Sequence, residues 1–456
     1  MSPDAEARSQ RLRDFCREHG VRSVRIEMPD LDGVVRGKRY SAQRLEAIVA
    51  AGRAGWSQAI FAWDLEAHVY GNLRPQPWMS GHFGDVYAVP DVDTLALVPW
   101  EDATAAVIVD CVDAEGRPVE VAPRAVLRRA ESQLRERGLT VRAGVELEFV
   151  LLRETAESLR EKRFAELQPA DPGILAYSLL RSGDLLPVLD DIQQSCERAG
   201  IGVEVLHTEP GPGMVEAGLA HLPLVEAADQ GTRFKLAVKQ VARRHGLLAT
   251  FMAAWANGLS GCGCHLHQSA WRGGDPVFAS EDGCLTAECS GCLAGQLETM
   301  AEMGVLFNPT INSYKRCLLT SAAPRNSSWG IQNRTTAIRL IPDGAATRLE
   351  HRRSGADCNI YLALAGCVAG ALHGLDRRLT PPPEVKERAY EVSASVAPPL
   401  PIALHEGIPL FRVSAAAREY LGGEFVDHFA DSREWELDQF QRFVTDWELR
   451  RYLEQV

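Results

Sequence analysis

Between Val145 and Phe149 the chain reads Val-Glu-Leu-Glu-Phe, two glutamates set among apolar residues. In an extended strand alternate side chains share a face, so Glu146 and Glu148 project together while Val145, Leu147 and Phe149 line the other side. Like charges so placed repel one another. Either their face looks onto solvent at a sheet edge, or a divalent cation lies between the carboxylates.

The same period recurs in Cys264-His-Leu-His-Gln268, which follows the glycine-rich run Asn257–Gly263 and puts His265 and His267 together. A zinc site using Cys262 and Cys264 is disfavoured, because strand alternation turns those thiols away from the histidines. The plainer reading is two hydrogen-bonded histidines beside a tight loop. In Thr347–Arg353 the period aligns Arg348, Glu350 and Arg352 as cation, anion, cation. That row is either a self-compensating surface or a face for phosphate and carboxylate, which guanidinium forks match. Glu209 and Glu216 bracket a Pro-Gly-Pro-Gly turn that can fold them toward one point, and Asn308–Arg316 reads as a polar loop ending in Lys315 and Arg316. Five glutamates, two histidines and several arginines suit magnesium or manganese with a nucleotide, since hard cations take oxygen ligands and bridge phosphates.

The chain has 456 residues, 46% hydrophobic and 24% charged, ample for a large core. A formal charge of −12 argues against a nucleic-acid partner, which calls for a basic patch. No run approaches the ~20 apolar residues that cross a bilayer, and the first twenty residues are polar, so no leader is expected. Eleven scattered cysteines fit free thiols in a reducing compartment, and the cytoplasm is the expected location. A helix is expected over Ala5–Glu18, a strand over Val21–Met28, and short β-rich runs up to Val112. A Pro-capped helix follows over Pro123–Arg137, and surface helices over Ala415–Leu421 and Ser432–Leu453. This organisation reads as a small sheet-rich domain over residues 1–118 and an α+β domain over 119–456.

Six stretches carry a more specific likeness: GVELEF, HTEPGPGMVE, GCHLHQS, NPTINSYKR, NRTTAIR and RLEHR, with VRGKR before them and VTDWELRRYL after. In order and spacing the chain resembles the glutamine synthetase superfamily over nearly its whole length. The resemblance implies an α+β fold with a β-grasp-type N-terminal domain and a catalytic domain built on a curved antiparallel sheet. It implies that Glu148, Glu209 and Glu216 hold one Mg2+ or Mn2+, and Glu146, His265 and Glu350 a second. Glu204, His267, Ser269, Arg339 and Arg348 match positions near ATP, and Gly261, Arg316 and Arg352 match positions that bind the amino acid. Arg334 matches the arginine that neutralises the transferring phosphoryl group. Asp64 falls near the aspartate that meets the amine from an adjacent subunit. The implied chemistry is ligation of glutamate to an amine through a γ-glutamyl phosphate. The implied assembly is a dodecamer of two hexameric rings.

The sequence also departs from that pattern. Ala322 stands where the family's flap carries a glutamate that binds and deprotonates ammonium, Ser260 replaces an asparagine that contacts glutamate, and Met214 replaces a glutamine. Trp329–Arg334 resembles the WGxxNR run of γ-glutamyl-polyamine and γ-glutamyl-monoamine synthetases. A primary amine is therefore the expected acceptor. A true glutamine synthetase and a non-catalytic relative are the alternatives, and Ser260 and Met214 leave room for a different donor acid.

Overall fold

The computed structural model describes residues 3–79, 81–174, 176–278, 285–319 and 323–456. After the helix Pro3–Glu18, residues 23–112 build a six-stranded sheet in the order Val35–Ser41, Ser23–Pro29, Thr104–Val112, Asp85–Pro90, Ala54–Ser57, with Ala96–Leu97 also on Thr104–Val112. Ser23–Pro29 runs parallel to Thr104–Val112, and the other pairs are antiparallel. The helix Ala42–Ala51 begins where the Ser41 side chain accepts the Arg44 amide, and it stops at Gly52 with φ 87°.

A ten-stranded sheet follows. Its main path is Trp329–Ile331, Ile338–Ile341, Arg348–His351, Cys264–Arg272, Thr140–Leu152, Met214–Leu219, Val203–Thr208. Only the first pair is parallel. The sheet curls into a half-barrel, with helices packed on one face and the other left open. Val145, Leu147 and Phe149 are buried on the helical side, where the Leu224–Arg244 helix comes close because Gly231 has no side chain. A Cβ there would lie 2.8 Å from Ile360 Cδ1. Beneath it the helix Ile360–Arg377 is buried for most of its length. It touches the helix Ala287–Thr299 backbone to backbone, since a Cβ on Gly374 would meet the Gly291 carbonyl at 1.9 Å. Such close packing fixes the platform on which the sheet rests.

The two sheets are tied by buried polar contacts. The Asn359 amide donates to the carbonyls of Asp30 and Leu31, Arg233 pairs with Glu27 at 2.8 Å, and Arg433 pairs with Asp32 at 2.7 Å. Two expectations need correction. Asn308–Arg316 is not a polar loop: Ile311–Leu319 is a helix, because the Asp357 carboxylate accepts from the Thr310 and Ser313 hydroxyls at its start. Ser432–Leu453 is not one surface helix. Gly423–Gln441 buries Phe425, Phe429 and Arg433, and a second helix, Asp446–Tyr452, starts afresh at a Thr445–Glu448 capping box. Among the described residues no helix is long and apolar enough to cross a membrane.

Candidate active site

Strand register brings distant motifs into line on the open face. Arg339 lies opposite Glu350, Glu350 opposite His267, and His267 opposite Gly144. One step along, His265 lies opposite Glu146 and Glu146 opposite Gly218, and beyond them Glu148 faces Glu216, which faces His207. The glycines leave room where a side chain would crowd the row.

The contacts follow from this register. Glu146 accepts from His265 at 3.1 Å and lies 2.9 Å from His267 Nε2. Glu350, almost wholly buried, lies 3.0 Å from Arg339, in contact with Arg352, and 3.8 Å from His265. His207 bridges Glu209 and Glu216, at 3.3 Å each. The turn between Thr208 and Met214 is held by the Ser260 hydroxyl, which donates to the Pro210 carbonyl at 2.8 Å and so fixes Glu209 against the glycine-rich loop. Within that loop, a Cβ on Gly261 would lie 2.2 Å from the Ala253 carbonyl, and one on Gly263 2.5 Å from Arg316 Nη2. Both glycines are therefore needed for the Arg316 side chain to lie across the loop.

The electrostatics of the cluster are unbalanced. Burial, then the neighbouring Glu148 carboxylate, pushes Glu209 up to about 7. Burial and the charges of Glu148, Glu146 and Glu209 push Glu216 up to about 9. Burial also works against ionised Glu146 and Glu350, but the hydrogen bond to His265 and the close approach of His267 for the first, and the Arg352 and His265 charges for the second, hold both below the usual carboxylate range. Carboxylates forced to share a proton-poor site are what a divalent cation relieves. Three groups of side chains have ligand atoms within 4.8 Å of one another: Glu146, Glu216, His265; Glu146, His267, Glu350; and His207, Glu209, Glu216. This donor set fits hard cations.

A pH prediction follows from the two raised groups. Between their ordinary value of 4.5 and the folded values of about 7 and about 9, the metal-free folded chain holds protons that the unfolded chain has released. The cluster's contribution to stability therefore falls as pH rises through that window. A cation needs ionised ligands, so added Mg2+ should raise Tm more at about pH 8.5 than at about pH 6. A thermal-shift series checks this, and equal shifts at both pH values would contradict it.

Beside the cluster lies a cavity of about 510 Å³ lined by Glu204, His221, His267, Ser269, Trp271 and Arg348, among others. A register shift between Val203 and Val205 turns Glu204 into it, and Arg348 Nε reaches His267 Nδ1 at 3.3 Å. Arg334 sits exposed in a turn held by Asn333, whose amide donates to the carbonyls of Val385 and Glu387 at 2.9 Å. Across from it stands Tyr177, whose hydroxyl hydrogen-bonds Glu209 and whose ring lies 4.8 Å from that of His207.

Register and turns thus gather the expected metal, nucleotide and amino-acid residues on one face. Asp64 is not among them. Within this chain it accepts from Trp435 Nε1 at 3.1 Å and from the amides of Glu66 and His68. Ala322 lies outside the described residues. Tyr177, His221 and Trp271 went unread in the sequence. Tyr177 had only one weak signal, an aromatic residue just before the helix cap Ser178.

Residues 120–452 match the family profile "Glutamine synthetase, catalytic domain". A glutamate–isopropylamine ligase from a Pseudomonas species is 35% identical over 458 residues, covering all of both chains. The γ-glutamylethanolamide synthetase GlnA4 of Streptomyces coelicolor is 35% identical over 437 residues, covering 96% of this chain and 93% of that one. The solved complex of GmaS with ADP superposes with a TM-score of 0.84 at 28% identity, covering 97% of this chain and 99% of the other. Full-length identity, a matching fold and a carboxylate–histidine–arginine face with the family's motifs agree: the chain belongs to the glutamine synthetase family.

Proposed function

We propose that this protein is an ATP-dependent ligase that joins the γ-carboxylate of L-glutamate to a small primary amine through a γ-glutamyl phosphate. The observation that carries the reading is the convergence of Glu146, Glu148, Glu209, Glu216, His265 and Glu350 on one open face, with repulsion that only cations or protons relieve. In this reading Glu148, Glu209 and Glu216 would hold one Mg2+ or Mn2+, and Glu146, His265 and Glu350 a second. Two bound cations would supply Lewis-acid charge for phosphoryl transfer.

The chain's own residues would do the rest. Glu204, His267, Ser269, Arg339 and Arg348 would grip ATP, while Arg316, Arg352 and the bare Gly261 backbone would seat glutamate. Arg334 would meet charge on the transferring group, since catalysis of this step is mainly positioning and electrostatic stabilisation. Attack of the γ-carboxylate on the terminal phosphorus would release ADP, and the amine would then displace phosphate from the acyl carbon. Tyr177, hydrogen-bonded to Glu209 at the rim, is suited to orient the amine.

An amine is favoured over ammonium by Ala322, which can neither accept a proton nor attract a cation. The similar proteins named for isopropylamine and ethanolamide favour a small monoamine over a polyamine. The same reading takes residues 1–118 as a β-grasp-type domain and 119–456 as the catalytic domain. It also takes the working unit as a ring-forming homo-oligomer, a dodecamer, in which Asp64 would serve a neighbouring subunit's site.

The test is phosphate release from Mg-ATP and glutamate with alkylamines, ethanolamine, polyamines and ammonium, with products weighed by mass spectrometry. Turnover with small monoamines, and about tenfold or more less kcat/KM with ammonium, is expected, a gap within reach of binding discrimination. Ammonium as the best acceptor would make the protein a glutamine synthetase with an unusual flap.

A further inference from the structure

The chain has only six lysines, and the surroundings of one of them set it apart. Where the Leu224–Arg244 helix meets residues 32–35 of the N-terminal sheet lies a cavity of about 490 Å³, with Phe251, Asp357 and Glu436 among its lining residues. Lys235 and Lys239, one helical turn apart, both line it and share one aromatic ring. Their Nζ atoms lie 5.5 and 5.7 Å from the Phe251 centroid. Lys235 is committed, donating to the carbonyls of Ala356 and Cys358 at 2.8 and 3.1 Å. Among the described residues, no hydrogen bond or ion pair holds the Lys239 ammonium. The carboxylates of the cavity do not neutralise it. Asp32 pairs with Arg433, Asp357 accepts from Thr310 and Ser313, and Glu436 forms no ion pair with either lysine.

Burial, then the charges of Lys235 and Arg243, brings the Lys239 amine down to about 8. A lysine partly stripped of water beside other cations becomes a nucleophile, because a useful share of it is neutral near physiological pH. The residue as a whole is still exposed, so a solute can reach it. Lys235 and Arg243 leave this end of the cavity positive, which draws an anionic electrophile in preference to a neutral one. We propose that Lys239 is a covalent modification site that takes the acyl group of an acyl phosphate. Neutral Nζ attacks the acyl carbon, and the bond from that carbon to the phosphate oxygen breaks. Phosphate leaves with the electron pair, the nitrogen gives a proton to solvent, and an uncharged amide remains. The step needs neither ATP nor glutamate, so it stands apart from the ligase reading.

The test incubates the full chain with acetyl phosphate at about pH 8 and follows each lysine by peptide mass spectrometry. Lys315 and Lys386 are the references, since both are exposed and neither makes a hydrogen bond or ion pair among the described residues. Lowering the amine from 10.5 to about 8 gives Lys239 ~100-fold more neutral form, and weaker basicity takes back part of that gain. Acetylation about tenfold faster than at the references is therefore expected. Arg243→Gln, a change at an exposed position, removes one neighbouring charge and should slow Lys239 about two- to threefold while the references hold. Lys235→Met should slow it further. The neutral donor p-nitrophenyl acetate should show a smaller Lys239 lead, and in the urea-unfolded chain all six lysines should react alike. Acetylation of Lys239 at the reference rate would overturn the inference, as would a lead untouched by both variants. A lead as large with p-nitrophenyl acetate would overturn the assignment to an acyl phosphate.

Discussion

Replacing Arg334 by alanine is expected to lower kcat by roughly 10²–10³-fold, the usual cost of deleting a group aimed at developing charge, while leaving Tm unchanged. The two halves of this expectation have separate grounds. Arg334 is exposed, and among the described residues its guanidinium makes no hydrogen bond or ion pair. The turn that carries it is held by Asn333, which also accepts from the Thr335 amide at 3.0 Å. Among the described residues, therefore, no contact of the fold depends on this side chain. Yet its charge reaches Tyr177, the neighbour of Glu209 at the rim, where in the proposed reaction a γ-phosphoryl group would pass between nucleotide and glutamate. Lysine keeps the charge but not the fork, and Arg334→Lys should recover only part of the loss. Steady-state kinetics with a parallel thermal melt separates the two effects. Wild-type turnover in the alanine variant would contradict the placement.

Glu216→Gln should move activity and stability in opposite directions. Glu216 carries the strongest upward push of the cluster, from burial and from Glu148, Glu146 and Glu209. An amide removes that repulsion, so the metal-free variant should melt at a higher temperature than wild type above neutral pH, where folded wild type must keep a proton that the unfolded chain has released. The same change removes a carboxylate that a cation needs. Loss of a partner one layer out from a metal typically costs 10- to 100-fold, so loss of this ligand should cost more than about 100-fold in turnover at fixed Mg2+. Higher Mg2+ should restore part of it. A variant that is both less stable and fully active would mean that Glu216 is an ordinary buried acid rather than half of a cation site.

Strand alternation alone made parts of this legible. It put Glu146 with Glu148, His265 with His267, and Glu350 between Arg348 and Arg352, because side-chain direction in a strand depends only on parity. Parity also turned Cys262 and Cys264 away from the histidines, and both thiols are buried and free. Register could not be read this way. That Glu146 meets His265, or Glu148 meets Glu216, depends on which of many strands pair, and the Pro-Gly turn after Thr208 hinted at only one of those pairings. The Ile311–Leu319 helix looked like a loop because Asn308, Pro309 and Thr310 lead into it and Asn312 and Ser313 fall in its first turn. Its start is stabilised by Asp357, more than forty positions away in sequence, which no local pattern reveals. Tyr177 was illegible for a similar reason, since its meaning lies in the bond its hydroxyl makes to Glu209. Motif resemblance supplied roles for the site residues, and the geometry supplies physical reasons for some of them. Asp64 remains tied to Trp435 within its own chain.

In the proposed reaction the γ-carboxylate of glutamate attacks the terminal phosphorus of ATP, displaces ADP and becomes an acyl phosphate. The most direct measurement uses glutamate labelled with 18O in that carboxylate, together with Mg-ATP and the best amine of the panel, and weighs the phosphate formed. Acyl transfer from a γ-glutamyl phosphate predicts one 18O atom in each phosphate released. Unlabelled phosphate would mean that ATP is hydrolysed by water on this face, and the ligase account would fail.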